Sequence, residues 1–180
     1  MANSKKKGNK GEREVSKWWQ EWTKFEFSRV PASGGLRWHS THNTVGDIMC
    51  TNEIHSRIFQ FAIECKNYKD INFEHLILGN KKVKILEFWE QTRADAERGE
   101  KVPILFMRYN GMPKDTYFVV VSRNLFSLIA NHIPNNRLDY DYFIVPNRDF
   151  VILNSNDLTG IKYINLHKNL KKARKNGQQF

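Results

Sequence analysis

The stretch "DIMCTNEIHSRIFQFAIECK", residues 47–66, contains two apolar segments whose side chains alternate as in β-strands. Residues 47–51 form the first segment and residues 56–66 the second, and the short segment between them predicts an antiparallel hairpin with a short connection. One face of the second strand is apolar and predicts core. The opposite face carries Glu64 and Lys66, an acid and a base two residues apart, which a merely half-buried strand does not need. Both the fold and a reactive site are therefore expected at this hairpin.

A hairpin centred near residues 55 and 56 places Asp47 opposite Glu64. Two facing carboxylates repel each other unless a cation lies between them. Such hard oxygen ligands suit Mg²⁺, with Mn²⁺ able to substitute, and the backbone carbonyl of Cys65 is a natural further ligand. Lys66 can orient an attacking water or neutralise charge that develops on a phosphate. The alternative is that Glu64 and Lys66 form only a surface ion pair, since an acid followed two positions later by lysine is a weak motif alone.

Outside the hairpin, the apolar spacing predicts alternating helices and strands. On the N-terminal side we expect a helix over residues 11–25 and a short strand over residues 26–30. On the C-terminal side we expect a helix over 82–98, strands over 102–109 and 116–121, a helix over 122–133, a strand over 148–154, one turn over 155–160, and a frayed basic helix from residue 166. This order predicts an α/β fold with one domain over residues 11–165, between a flexible basic N-terminal tail (1–10) and a basic C-terminal tail (166–180).

The charge of the chain points to a polyanionic partner. Its 180 residues carry a formal net charge of +10, and the sequence pI is about 9.6. Basic residues cluster at both ends, namely Lys5, Lys6, Lys7 and Lys10 at one and Lys168, Lys171, Lys172, Arg174 and Lys175 at the other. Phosphate backbones attract such surfaces through counterion release, so a nucleic acid is the expected partner. The alternative is that the basic tails only keep the protein soluble.

Composition also excludes several classes of protein. No apolar run approaches the ~20 residues that span a bilayer, and no apolar stretch follows the N-terminal lysines as in a signal peptide. Only Cys50 and Cys65 are present, too few for a disulfide framework or a cysteine-based zinc site. His39 and His42 likewise lack partners at zinc-site spacing. We therefore expect a soluble, cytoplasmic protein with reduced thiols and no membrane partner.

The order of these motifs resembles the PD-(D/E)xK nuclease superfamily, and more closely the archaeal-type Holliday junction resolvases. "KKKGNKGERE" (5–14) is similar to their lysine-rich start with a glutamate on the first helix, and "RVPASGG" (29–35) to their Arg-x-Pro-x-Ser-Gly segment. "GDI" (46–48) stands where the family usually has Pro-Asp-Ile, and "IECK" (63–66) matches its Glu-x-Lys strand. The resemblance covers residues 5–67 and implies a restriction-endonuclease-like fold, with a mixed central β-sheet flanked by helices.

The resemblance also implies roles for individual residues. Glu12, Asp47 and Glu64 would gather the metal, Lys66 would be the catalytic lysine, and Ser33 would sit beside the active centre. The basic residues expected at DNA, with Arg29 on a phosphate, are Lys5, Lys6, Lys7, Lys10, Arg13, Arg29, Arg37, His39 and Lys69. The implied activity is a Mg²⁺-dependent endodeoxyribonuclease that leaves a 5′ phosphate and prefers four-way or other branched DNA. Symmetric cutting of two strands requires two active sites, so a homodimer is expected.

Several alternatives stay open at this point. The same scaffold could serve a structure-nonspecific, restriction or repair nuclease, a catalytically inactive DNA-binding module, or an enzyme that acts on RNA. Gln91, on the predicted helix over 82–98, is a candidate neighbour of the site. Trp18, Trp19 and Trp22 have a helical spacing that predicts core or a dimer surface, with base stacking as the alternative.

Overall fold

The computed structural model describes residues 2–30, 45–69, 71, 73–79, 83–133, 142–145 and 148–180, with side chains from Gly8 onward. Within these ranges seven strands form one mixed sheet, in the order β1-β2-β3-β4-β5-β7-β6. The strands are β1 Phe27–Arg29, β2 Ile48–Cys50, β3 Phe61–Tyr68, β4 Val102–Tyr109, β5 Phe118–Ser122, β6 Tyr142–Ile144 and β7 Phe150–Asn154. The helices are α1 Ala2–Thr23, α2 Glu53–Ile58, α3 Phe73–Ile77, α4 Lys84–Arg98, α5 Arg123–Ala130, α6 Ser155–Thr159 and α7 Tyr163–Lys175. This architecture confirms the predicted α/β, restriction-endonuclease-like fold class.

The centre of the sheet is the parallel pair of β3 and β4. Their register runs from Phe61 beside Val102 to Tyr68 beside Tyr109. A parallel pair needs a long crossover, and here the chain crosses through α3 and α4 on one face of the sheet. The other described strand pairs, apart from one isolated bridge at Gly46, are antiparallel. Because β3 has a neighbour on each side and helices over each face, its middle residues are removed from water.

Helices cover both faces of the sheet, and each face has its own core cluster. On one face, α1, α5, α6 and α7 supply the apolar side chains, and fully buried Trp19 lies at the centre of an aromatic group. On the other face, α3 and α4 contribute Leu76, Ile85 and Trp89. Trp18 and Trp19 are both buried, so for these two the predicted choice between core and dimer surface resolves to core. The half-buried Trp22 donates its indole N–H to the backbone oxygen of Ile161, a contact that ties α1 to the segment before α7.

The predicted hairpin is confirmed in its pairing, whereas its connection is wrong. β2 and β3 pair antiparallel with Ile48 beside Ile63, so the same register one residue further places Asp47 beside Glu64. The connection is a helix, α2, because the Asn52 side chain accepts the backbone N–H groups of Ile54 and His55 as an N-cap. The second strand accordingly begins at residue 61 instead of residue 56.

The two terminal segments also differ from expectation. The first helix begins at Ala2, so residues 2–10 are helical where a flexible tail was predicted; lysine is a good helix former, and a basic run does not prevent a helix. At the other end, α7 is a packed helix, since Tyr163, Leu166, Leu170 and Ala173 recur at helical spacing and are buried. The many basic residues of this segment masked the apolar spacing of α7 in the sequence. The short elements α3 and β6 were not predicted, and the division of the chain into one domain and two tails stays a prediction.

No helix in the described part of the chain is both long enough and apolar enough to cross a membrane.

Candidate active site

Asp47 is positioned by an unusual backbone turn just before β2. Gly46 has a φ of +82°, and a Cβ at that position would lie 2.3 Å from the backbone oxygen of Ile63. That oxygen accepts the Asp47 N–H at 2.8 Å, and the Asp47 carboxylate accepts the backbone N–H of Cys65 at 2.9 Å. Proline, with φ held near −65°, cannot adopt this conformation. This backbone therefore requires glycine before Asp47. The resemblance of "GDI" to a Pro-Asp-Ile motif did not indicate that requirement.

Glu64 and Lys66 lie in the middle of β3 and contact each other directly. The Lys66 ammonium donates to Glu64 Oε1 at 2.5 Å, and the Gln91 amide nitrogen, reaching from α4, donates to the same oxygen at 3.0 Å. Glu64 is only 3% exposed, so this is no surface ion pair. Gln91 thus belongs to the site, which its sequence position alone left open. The feature that could have located Gln91 beside Glu64 is the helix that connects two paired parallel strands, because such a helix crosses back over the sheet.

Burial and charge perturb the titration of this pair. Burial and, next, the nearby charge of Asp47 raise the pKa of Glu64 to about 7, although the Lys66 ammonium acts in the opposite direction. Burial alone would lower the pKa of Lys66, but the charge and hydrogen bond of Glu64 outweigh it and raise that pKa. The Phe88 ring also lies 5.5 Å from the Lys66 nitrogen, within cation–π range. Lys66 is therefore a protonated, fixed cation at neutral pH.

Glu12, the third predicted acid, is engaged elsewhere in this structure. Its carboxylate accepts the Arg29 Nε–H at 2.6 Å, and a second Arg29 nitrogen donates to the Asn9 side chain at 2.8 Å. Glu12 lines a small cavity together with Cys65 and Lys66, so it lies next to the site. Among the residues that the structure describes, no three His, Cys, Asp or Glu side chains are grouped to hold a metal. The three-acid metal set therefore stays a prediction, and so does the contact of Arg29 with a phosphate.

The remaining predicted residues fall into two groups. Ser33, Arg37 and His39 lie outside the described residues, as do the side chains of Lys5, Lys6 and Lys7. Lys10, Arg13 and Lys69 are exposed, Lys10 lying 3.9 Å from Glu14 and Lys69 directly after β3. Burial raises the pKa of the Cys65 thiol well above its usual value, so this side chain is neither a thiolate nucleophile nor a thiolate ligand. Its predicted role as a ligand concerns the backbone carbonyl alone.

The donor set at the hairpin fits a divalent cation with hard ligands. Asp47, directly before β2, and Glu64, in β3, supply carboxylate oxygens, and water can complete the coordination that Mg²⁺ requires. Glu64 is nearly dry, and its free energy of ionisation would fall with a cation beside it. The residues present therefore match the metal that the sequence predicts.

This fold, with an Asp directly before one strand and a Glu-x-Lys motif on the neighbouring strand, is that of the PD-(D/E)xK nuclease superfamily. The chain belongs to the family described as "Phage putative PDDEXK endonuclease", whose model matches residues 3–172. It is also similar to "Protein D14" of Escherichia phage T5, with 28% identity over 107 residues, a match that spans 59% of this chain and 65% of that protein. No solved structure matches the chain significantly. Family membership supports a nuclease hydrolase; it does not extend to the archaeal resolvase type.

Proposed function

We propose that this protein is a Mg²⁺-dependent endodeoxyribonuclease that hydrolyses phosphodiester bonds in branched DNA, with four-way junctions as the preferred substrate. The observation that carries the proposal is the convergence of Asp47, Glu64 and Lys66 at the centre of the sheet. Two carboxylates and an ammonium, held at neighbouring strands of one sheet, suit the transfer of a phosphoryl group with help from a metal and from electrostatic stabilisation. The net charge of +10 supports a nucleic-acid substrate.

Each residue of the site has a distinct task in this proposal. Asp47, Glu64 and the Cys65 carbonyl would hold the metal, and Glu12 would join them if it exchanged Arg29 for the metal. A bound divalent ion supplies the acidity that turns water into a nucleophile at neutral pH. Lys66 stabilises the negative charge that builds on the phosphate, and Gln91 keeps Glu64 oriented through its hydrogen bond.

The preference for branched DNA and the homodimer rest on the resemblance over residues 5–67 to archaeal-type junction resolvases. A four-way junction is cut in two strands, and a two-fold dimer presents two equivalent sites for that purpose. The segment "RVPASGG", residues 29–35, would then lie at the rim of the site with Ser33 near the scissile phosphate and Arg29 available to it.

Cleavage assays with purified protein test the proposal. A labelled four-way junction, its separate duplex arms and an RNA version of one arm are incubated with Mg²⁺, with Mn²⁺ or with EDTA. We expect metal-dependent cleavage of the junction, loss of cleavage with retained binding in Asp47→Asn and Lys66→Ala, and unchanged cleavage in Lys24→Ala. Lys24 is a matched control because it is an exposed lysine directly after α1, twelve residues beyond Glu12.

The outcomes separate the alternatives. Equal rates on the junction and on its arms would leave a nuclease without structural preference and end the resolvase proposal. Faster cleavage of RNA would reassign the substrate. Intact DNA with both metals, together with tight binding, would make the chain a DNA-binding module and refute the enzymatic proposal.

A further inference from the structure

One aromatic side chain beside the site has no role in the proposed chemistry. Tyr68 is the last residue of β3, two residues after Lys66, and alternation places both on the same face of the strand. Its side chain is 39% exposed, although the first four residues of β3 are buried. This exposed ring lies next to the proposed phosphate site. Tyr68 is therefore placed to meet the substrate and not the core.

A second aromatic ring holds Tyr68 in place. The Phe88 ring of α4 lies 5.5 Å from the Tyr68 ring, with 66° between their planes, an edge-to-face contact. In such a contact the edge of one ring meets a face of the other. Whichever ring supplies the edge, Phe88 leaves at least one face of Tyr68 uncovered. Tyr68 is thus supported from α4, and its contact with Phe88 leaves a ring face available for stacking.

The same phenylalanine sets the distance from Tyr68 to the chemistry. Phe88 also lies 5.5 Å from the Lys66 ammonium, so the Tyr68 ring is at most about 11 Å from that charge. Stacked bases rise ~3.4 Å each along a strand, so this span corresponds to roughly three nucleotides. A base one to three nucleotides from the scissile phosphate can therefore reach Tyr68.

We propose that Tyr68 is a stacking platform for an unpaired base next to the scissile phosphate. In continuous duplex both faces of a base are covered by its neighbours, so Tyr68 has nothing to stack on. At a branch point or frayed end a base face is open, and Tyr68 binds it without regard to its identity, because each base has a π-face. The inference rests on the proposed function and adds a specificity-determining residue to it: Tyr68 favours DNA with unpaired bases at the site.

Binding measurements with the fluorescent base 2-aminopurine test this inference. The base is placed unpaired, one to three nucleotides from the cleavage position in branched DNA, and in the same sequence fully paired. All variants carry Asp47→Asn, so that no DNA is cut. The comparison is between Tyr68→Leu, which keeps an apolar contact with Phe88, Tyr68→Phe, which keeps the ring, and Tyr142→Leu. Tyr142 is a matched control, since it is a 49% exposed tyrosine against a phenylalanine, Phe126, in the edge strand β6.

We expect the unpaired 2-aminopurine to be quenched by the parent protein and by Tyr68→Phe, and to stay bright with Tyr68→Leu. Tyr68→Leu should weaken binding of branched DNA by about 5- to 150-fold, the range that one stacked base contributes, and leave duplex binding unchanged. Tyr142→Leu should change neither. An equal loss on branched and duplex DNA would show that Tyr68 only supports the fold and would overturn the inference, as would an unquenched base in the parent protein.

Two features keep the test decisive. If Tyr68→Leu fails to fold, the position scan of 2-aminopurine with the parent protein still decides, because quenching must be confined to positions within about three nucleotides of the cut. Failure of the proposed nuclease activity has a different outcome. If the protein with Asp47 intact cuts no DNA, the scan is centred on the branch point, and quenching confined to unpaired positions there refutes the proposed function and retains the stacking platform.

Discussion

Replacing Gly46 with alanine would show how strongly one backbone position controls the carboxylate pair. A Cβ at Gly46 meets the Ile63 backbone oxygen at 2.3 Å, far inside a normal contact. The same oxygen accepts the Asp47 N–H, and Asp47 in turn accepts the Cys65 N–H. No side-chain rotation relieves a contact between Cβ and backbone. The segment that carries Asp47 must therefore move away from β3.

The structure offers a matched control for the magnitude. Gly111 has a similar left-handed φ of +93°, but a Cβ there has nothing within 4 Å. Gly111→Ala should therefore lower the free energy of unfolding by the conformational cost alone, about 1–2 kcal/mol. Gly46→Ala carries that cost and the displacement of packed backbone, which adds about 1–3 kcal/mol. The total of about 2–5 kcal/mol is a large part of the stability of a single domain.

Urea unfolding and cleavage kinetics check this expectation. Both variants should keep the urea m-value of the parent protein, with Gly46→Ala showing the lower midpoint. Cleavage should fall at least ~10-fold in Gly46→Ala and stay unchanged in Gly111→Ala, because misplacement of a reacting group by about 1 Å is enough to cost ~100-fold. Equal losses of stability in the two variants would refute the contact argument. Full activity of a folded Gly46→Ala protein would refute the link between this turn and the site.

Three further predictions concern single side chains. Gln91→Ala removes the second donor to Glu64 and should lower kcat/KM about 10- to 100-fold without changing the melting temperature, measured by cleavage kinetics and thermal melting. Burial lowers the pKa of Lys101 to about 8, so between pH 8 and about 10.4 the unfolded chain binds more protons than the folded one and stability rises with pH. Lys101→Met should therefore raise the free energy of unfolding, measured with urea, by about 1 kcal/mol at pH 7. This gain should vanish at pH 10. Burial and the charge of Lys171 lower the pKa of His167, whose Nδ1 lies 3.0 Å from the Gln60 amide nitrogen. Stability should therefore fall as the pH drops through and below 6.5, because the unfolded chain then binds the proton more readily. His167→Phe should flatten the dependence of the melting temperature on pH.

The hairpin register was predictable because it depends on local alternation. Alternation places Asp47 and Glu64 on the same face of any antiparallel pairing that keeps the apolar faces together, and a pairing centred near residues 55 and 56 puts them opposite each other. The helix in the connection was less accessible, although Asn52 followed by Glu53 is an N-terminal helix signal. Ile54 and Ile58 are exposed on that helix, so the helix carries no buried stripe for a periodicity search to detect.

The burial of Glu64 could not be read from its own strand. The alternating pattern of residues 56–66 fits a strand with one covered face, yet in the structure both faces are covered. The second cover comes from α4, and the flanking strand is β4, whose partner of Glu64 is Leu105. These contacts join residues far apart in sequence. The hydrogen bond from Gln91 to Glu64 depends on this packing of α4, and the Arg29–Glu12 pair depends on the packing of α1 against β1.

The energetic position of Glu64 argues that the site exists for chemistry. Its neighbours Ile63 and Leu105 are fully buried and apolar, and an apolar side chain at residue 64 would continue that core. A buried ion pair rarely stabilises a fold more than well-packed apolar residues of the same volume would, because the cost of desolvation offsets the attraction between the charges. Lys66 and Gln91 both converge on one oxygen of Glu64, which satisfies the carboxylate but does not remove that cost. A sheet selected for stability alone would not bring Asp47, Glu64 and Lys66 together, and this cost supports the proposal of a site at which all three act on a ligand.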